Sequence, residues 1–232
     1  MTKALLIMLL KKLIKLIFRY SKSVFWYFVL KIFGKKFKTN KKFRTVYIIC
    51  PGPSLNNFKK RKFEDNCLCI FINHSLKISN EFDCNKILFT GDTTRANEIL
   101  QYKSEIEHII LIGHFFQLNF NVLKKFKFII PDITFSNEYG IIGKQNNNLK
   151  FDDLGKSTGA GFGSFVNGLS FSVRFKPDII KIVGSDFGVK NGEKYSFKFD
   201  GKDSNVHFDL IKKDYLKIKS IIERNNIIIE NC

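Results

Sequence analysis

The stretch from Thr45 to Leu55, TVYIICPGPSL, carries an uncharged, β-branched run straight into a Pro-Gly-Pro-Ser turn. A short continuous apolar run closed by turn residues predicts a strand buried on both faces, ending where Pro51 begins the turn. The same signature recurs along the chain. Strands are predicted at Val46–Cys50, Cys67–Ile72, Lys86–Phe89, His108–Ile112, Phe126–Ile130, Ile179–Val183 and Ile227–Glu230. Between them, helical periodicity marks Thr94–Tyr102, Gly159–Phe175 and Leu210–Arg224, with a weaker pattern over Phe115–Lys125.

Strands that are apolar throughout, alternating with helices, predict a mostly parallel sheet covered on both faces. The expected fold class is α/β, a Rossmann-like doubly wound sheet, preceded by an N-terminal amphipathic basic helix. Ligands of such sheets bind at the carboxyl ends of the strands, where Cys50–Leu55 lies. Gly52 would let backbone approach a ligand, and Ser54 would cap the following turn or donate to a phosphate. The loop has neither a GxGxxG spacing nor the lysine-serine ending of a P-loop, so alone it does not name the nucleotide.

Composition bounds the rest. With 232 residues, 44% apolar and 15% aromatic, the chain can build one sizeable core, which excludes overall disorder. The net charge of +18 is lopsided. Residues 1–44 hold thirteen of the thirty-nine Lys and Arg residues and no acidic residue, leaving twenty-six basic against twenty-one acidic residues over 45–232. The division expected is a basic membrane-surface segment, 1–44, and a ligand-binding domain, 45–232.

In ALLIMLLKKLIKLIF, residues 4–18, an apolar face stands opposite a stripe continued by Lys11, Lys15, Arg19 and Lys22. Charge-free apolar runs of seven residues, 4–10 and 24–30, fall far short of the roughly twenty that span a bilayer. Phe25-Trp26-Tyr27-Phe28 and the lysines from Lys31 to Lys42 suit the headgroups of an anionic surface. A packed helix with a solvated basic face is the competing reading; a signal peptide lacks its cleavage site, and nucleic acid lacks an aromatic sheet motif. The five cysteines, Cys50, Cys67, Cys69, Cys84 and Cys232, form no CxxC pair. Buried structural thiols in a reducing cytoplasm are expected, with neither disulfides nor zinc.

VYIICPGPSL resembles the first strand and Gly-Asn-Gly-Pro-Ser-Leu loop of the bacterial sialyltransferase family of lipooligosaccharide biosynthesis. The resemblance continues in order: Phe71-Ile72-Asn73 is similar to an Arg-Cys-Asn after the second strand, and Lys156-Ser157-Thr158-Gly159 to an Ile-Thr-Ser-Gly turn opening a long helix. Lys181 to Phe187, KIVGSDF, looks like Ile-Tyr-Leu-Ser-Gly-Ile-Asp-Phe, followed by a tyrosine and by a histidine before the last helix.

The resemblance implies inverting, metal-independent transfer of sialic acid, or a related acidic sugar such as Kdo, from a CMP-sugar donor to a glycan or glycolipid acceptor. It implies His207 as general base and Tyr195 as a hydrogen-bond donor to the leaving phosphate. Donor binding falls to Gly52, Pro53, Ser54, Asn73, Gly91, Asp92, Ser157, Thr158, Gly159 and Asp186, with no metal ligand and no cofactor. Asp186 also reads as a loop-structuring residue. The family's second tyrosine falls on Gly188 and its arginine before Ser157 is missing, so the sugar stays open; Lys190 or Lys194 would supply the charge instead. Oligomers are common in the family, so a homo-oligomer is carried over, at the cytoplasmic face of the bacterial inner membrane and without a nucleic-acid partner. A Mg-dependent pterin-type diphosphotransferase and a non-catalytic nucleotide-binding or membrane module are the alternatives.

Overall fold

The computed structural model describes residues 6–15, 17–18, 21, 25, 40–58, 63–90, 149–155, 163–187 and 208–232, together with the backbone of 108–111 and 128–129. All seven predicted strands are present: β1 (Thr45–Ile49), β2 (Cys67–Ile72), β3 (Asn85–Thr90), β4 (His108–Leu111), β5 (Phe128–Ile129), β6 (Ile179–Val183) and β7 (Ile228–Asn231). They form one sheet in the order β5-β4-β3-β2-β1-β6-β7, and every pairing is parallel. Every residue of β1 and β2 is buried, which is why these strands read as unbroken apolar runs.

Alternation of side chains divides the sheet into two faces. Val46, Ile48, Leu68, Ile70, Ile87, Phe89, Ile180 and Ile182 pack with two helices, α1 (Gly163–Ser172) and α2 (Phe208–Glu223). α1 lies on β1, β2 and β3, and α2 packs against α1 and β7. The other face is aromatic, with Tyr47, Phe58, Phe63, Phe82 and Phe71 joined ring to ring at centroid distances of 4.9–5.9 Å. Each fully buried aromatic or branched side chain stabilises the fold by about 1.5–3 kcal/mol through the area it removes from water.

Chain chemistry explains the element ends. α1 runs into a 3-10 turn, Val173–Phe175, and stops at Lys176, whose φ of 48° places it in the left-handed region, with Pro177 next. α2 buries Asp214, Tyr215, Ile218 and Ile222 along one stripe, and its exit passes through Asn226 at φ 62°. Two 3-10 segments, Pro53–Asn57 and Asn73–Glu81, stand where the sequence patterns predict no helix. The predicted helices Thr94–Tyr102 and Phe115–Lys125 lie outside the described residues, as do residues 159–162 of the one predicted at Gly159–Phe175.

The body begins slightly before Thr45. Phe43 is buried, its ring meets Phe175 at 5.8 Å, and its amide donates to the Phe175 carbonyl at 3.2 Å. Ahead of it, residues 6–15 are helical and expose Leu6, Ile7, Met8, Leu9, Leu10, Leu13 and Ile14. No helix among the described residues is long and apolar enough to cross a membrane.

Candidate functional site

The strand order reverses at β1, which has β2 on one side and β6 on the other. At such a switch point the loops leaving neighbouring strands turn to opposite faces and open a crevice at their carboxyl ends. Here the two loops are fastened together. The Cys50 amide donates to the Val183 carbonyl at 2.7 Å, and the Gly52 amide to the Gly184 carbonyl at 2.8 Å. The Ser54 amide donates to Asp186 Oδ2 at 2.9 Å.

Both glycines at this junction are required by space. Gly52 has ordinary extended dihedrals, φ −71° and ψ 163°, so any residue could adopt its backbone. A Cβ there would run into the Gly184 carbonyl oxygen and would lie 2.5 Å from Asp186 Oδ2. Gly184 is constrained twice, by a φ of +71° and by the Cys50 carbonyl, which a Cβ would strike. Gly52, expected to let backbone approach a ligand, is held by its amide against the loop after β6.

Asp186 performs a related task. The 3-10 turn Pro53–Asn57 has Gly52 at its cap position, and no side chain of its own caps it. Asp186 supplies the missing oxygen from the loop after β6. Ser54, expected to cap the following turn or donate to a phosphate, sits inside the turn and contributes its amide, and the cap position falls two residues earlier, at Gly52.

On the β2–β3 side, Asn73 follows β2 directly with φ 51°, a conformation that asparagine tolerates better than most residues. Its Oδ1 accepts a hydrogen bond from Thr90 Oγ1 at 2.7 Å, at the end of β3. Ser75 Oγ donates to the Ile49 carbonyl at 2.7 Å, tying the segment after β2 to the end of β1. Thr90 and Ser75 were not singled out from sequence, their one cue being a place at or just after a strand end, and Gly184 was named only as part of the KIVGSDF motif.

Burial, and secondly the charge of Asp186, push the Cys50 thiol far up, so it stays protonated and serves as packing. Beyond Asp186, Phe187 holds a φ of 49°, unusual for a bulky residue. Its ring lies 5.6 Å from Phe165 of α1 and 5.2 Å from Tyr215 of α2, while Tyr215 donates to Asn231 Oδ1 at 3.2 Å. The loop after β6 is therefore locked to both helices as well as to β1.

The structure thus gathers Gly52, Pro53, Ser54, Asn73 and Asp186 along the carboxyl edge of β1, β2 and β6. His207, Tyr195, Gly91, Asp92, Ser157, Thr158 and Gly159 lie outside the described residues, as do Gly188, Lys190 and Lys194.

No protein-family model matches the sequence, and no curated protein matches it. Solved structures do. The monofunctional alpha-2,3-sialyltransferase Cst-I from Campylobacter jejuni is similar at a TM-score of 0.55 and 16% identity, over 85% of this chain and 78% of that one. The chain has the fold of a sialyltransferase. A second C. jejuni enzyme, the sialyltransferase CstII in complex with the substrate analogue cytidine-5'-monophosphate, is similar at a TM-score of 0.50 and 18% identity, over 83% of this chain and 81% of that one. The shared α/β architecture extends over most of both chains, so the fold expected from the alternation of strands and helices is the one observed.

Proposed function

We propose that the protein is an inverting, metal-independent glycosyltransferase that moves sialic acid, or a related acidic sugar such as Kdo, from a CMP-sugar to a glycolipid acceptor. The observation that carries this reading is the pair of fastened loops at the β1–β6 switch point, in a fold held in common with a sialyltransferase solved with cytidine-5'-monophosphate. A preorganised loop pair of this kind suits a nucleotide, because binding then has little backbone left to order.

In this reading Gly52, Pro53 and Ser54 form the floor under the nucleotide. Asn73, its Oδ1 occupied by Thr90, offers its amide NH2 to the donor. Gly91, Asp92, Ser157, Thr158 and Gly159 complete the donor site, and Asp186 contributes by holding the floor in place. His207 takes the proton of the acceptor hydroxyl, since an imidazole with a pKa of about 6.5 is largely unprotonated at neutral pH. Tyr195 donates to the departing phosphate.

The exposed apolar row from Leu6 to Ile14, beside Lys11, Lys12 and Lys15, supports peripheral attachment to an anionic inner-membrane surface on its cytoplasmic side. That attachment would bring the site to a lipid-linked acceptor.

The test is donor hydrolysis and thermal stabilisation with CMP-sugars, UDP-sugars and ATP, each with and without Mg²⁺. Release of CMP without metal is expected. His207→Ala should lower transfer by about 10²- to 10⁴-fold while leaving donor binding in place. Turnover of ATP with Mg²⁺ alone would replace this reading with diphosphate transfer, and an absence of any binding would replace it with a non-catalytic module.

A further inference from the structure

At the amino edge of the sheet, far along the strands from the crevice, three of the five cysteines come together. Cys67 opens β2 and Cys69 follows it by two residues, so both side chains leave the same face. The register pairs Leu68 with Asn85 and Cys69 with Lys86, which sets Cys84, one residue before β3, opposite Cys67 and on that same face. Asn85 Nδ2 donates to the Cys67 carbonyl at 3.2 Å and holds the two chain segments together at this level. The thiols of Cys67, Cys69 and Cys84 interact pairwise, each with the other two.

Their surroundings differ. Cys69 is wholly buried, Cys67 is 4% exposed and Cys84 is half-buried, so the trio has one door to solvent. Hydrogen bonding from Cys69 and Cys84 draws the Cys67 thiol well below its ordinary range, whereas burial drives Cys69 up and the shared hydrogen bond with Cys67 drives Cys84 up. Glu64 opposes ionisation of Cys67, and Lys86 favours that of Cys84. No group of three His, Cys, Asp or Glu among the described residues is placed to hold a metal ion.

We propose that Cys67 and Cys84 are a peroxide-oxidisable pair, with Cys67 as the attacking sulfur and Cys84 as the resolving one. Geometry selects these two. Neighbouring strands stand about 4.7–4.9 Å apart, inside the Cα separation of about 4.4–6.8 Å that a disulfide spans, whereas residues two apart on one strand are about 6.6 Å apart, at its limit. Hydrogen peroxide is small enough to reach a nearly buried sulfur. The Cys67 thiolate attacks one peroxide oxygen, the O–O bond breaks, and Cys67 sulfenic acid and hydroxide form. The Cys84 sulfur then attacks the Cys67 sulfur, the S–OH bond breaks, and the Cys67–Cys84 disulfide forms with loss of water. The hydroxide takes up the proton that Cys67 had released. In sum two thiols and one peroxide give one disulfide and two waters, with each sulfur oxidised and each peroxide oxygen reduced by one electron.

The experiment uses the full chain. Reduced protein is exposed to hydrogen peroxide, quenched, unfolded, alkylated with iodoacetamide, digested and mapped by mass spectrometry. Two of the five thiols should be lost to alkylation, with a cross-linked peptide joining residues 67 and 84 and lighter than its parts by two hydrogens, while Cys50 and Cys232 are alkylated in full. In Cys84→Ser the cross-link should vanish and dimedone should label Cys67; in Cys69→Ser the cross-link should persist. Five alkylated thiols in the treated wild-type protein would overturn the proposal, as would a link from Cys67 to Cys69 or one formed through Cys232. The wild-type map decides the matter even where a variant fails to fold.

Discussion

Asp186 Oδ2 accepts the amide hydrogen of Ser54 at 2.9 Å, so a carboxylate caps a turn 132 residues earlier in the chain. A cap is normally supplied by the residue at the head of its own turn. Here that residue is Gly52, which must lack a side chain because the Gly184 carbonyl occupies the space. The bareness of one loop and the acid on the other are two parts of one joint.

Removing the cap should therefore be felt as stability first. Asp186→Ala is expected to lower the free energy of unfolding by about 1 kcal/mol, while Asp186→Asn, which keeps an accepting oxygen, should stay within a few tenths. Urea denaturation of the two variants checks this, and an unchanged midpoint for the alanine variant would remove Asp186 from the joint.

Gly52→Ala separates close packing from backbone freedom. Its dihedrals suit alanine, so the added methyl acts only through collision with the loop after β6, at an expected cost of about 1–3 kcal/mol. Binding of cytidine-5'-monophosphate should weaken in parallel, as isothermal titration would register. An alanine variant as stable as the parent would mean that the two loops part without cost.

Thr90→Val keeps the shape of β3 and deletes the hydroxyl held by Asn73. A loss of about 1 kcal/mol is expected, with the KM for donor rising severalfold and kcat changing little if Asn73 binds ground state and transition state alike. A fall in kcat at constant KM would instead place Asn73 at the reacting bond.

Acid and alkali should weaken the fold through one cluster. Lys181 Nζ lies 2.5 Å from Glu64 Oε1, and Thr45 Oγ1 donates to Glu64 Oε2 at 2.7 Å. The hydrogen bond from Lys181, then that from Thr45, holds Glu64 below its ordinary value of 4.5. Its contribution is complete above that value and is lost as pH falls through the lower, folded one. Lys181 is raised by its hydrogen bond to Glu64, and Tyr47 is pushed up to about 12, chiefly by burial. Their contributions are complete below their ordinary values of 10.5 and 10.0 and are lost as pH rises through the folded ones. Replacing Lys181 with methionine should flatten the acid limb of a stability–pH curve, by no more than about 1 kcal/mol for so exposed a partner.

Truncation tests the proposed anchor separately from the body. Removal of residues 1–40 should release the protein from anionic vesicles and leave its melting temperature unchanged. Removal through Arg44 should also cost about 3 kcal/mol, because it takes away the buried Phe43 ring and the strand contacts of Arg44. Vesicle binding that survives the shorter deletion would count against the anchor.

The sheet was legible because burial on both faces leaves an unbroken apolar run, and Cys67–Ile72 shows this most plainly. α2 was legible from its amphipathic stripe. The 3-10 segment Asn73–Glu81 was not, since its short turns have no period that differs from loop. Within the site, Gly52, Ser54, Asn73 and Asp186 could be named from motif order, but their partners could not. Nothing local ties Thr90 to Asn73 or Asp186 to Ser54; those contacts exist only once parallel strands are in register. The thiol trio is hidden in the same way, because Cys84 becomes a neighbour of Cys67 through strand pairing rather than through spacing.

The central position of β1 also sets a timetable for biosynthesis. β1 is translated first of all the strands, yet its partner on one side, β6, pairs Val183 with Ile49, and the cap on its loop waits for Asp186. At about 5–20 residues per second, a ribosome takes on the order of ten seconds to cover that interval. Until β6 is made the nascent chain holds at most five of the seven strands, with β1 as an open edge. The joint between the two loops is therefore among the last parts of the molecule to exist, and a chain released before residue 186 lacks the carboxylate that caps the turn after β1.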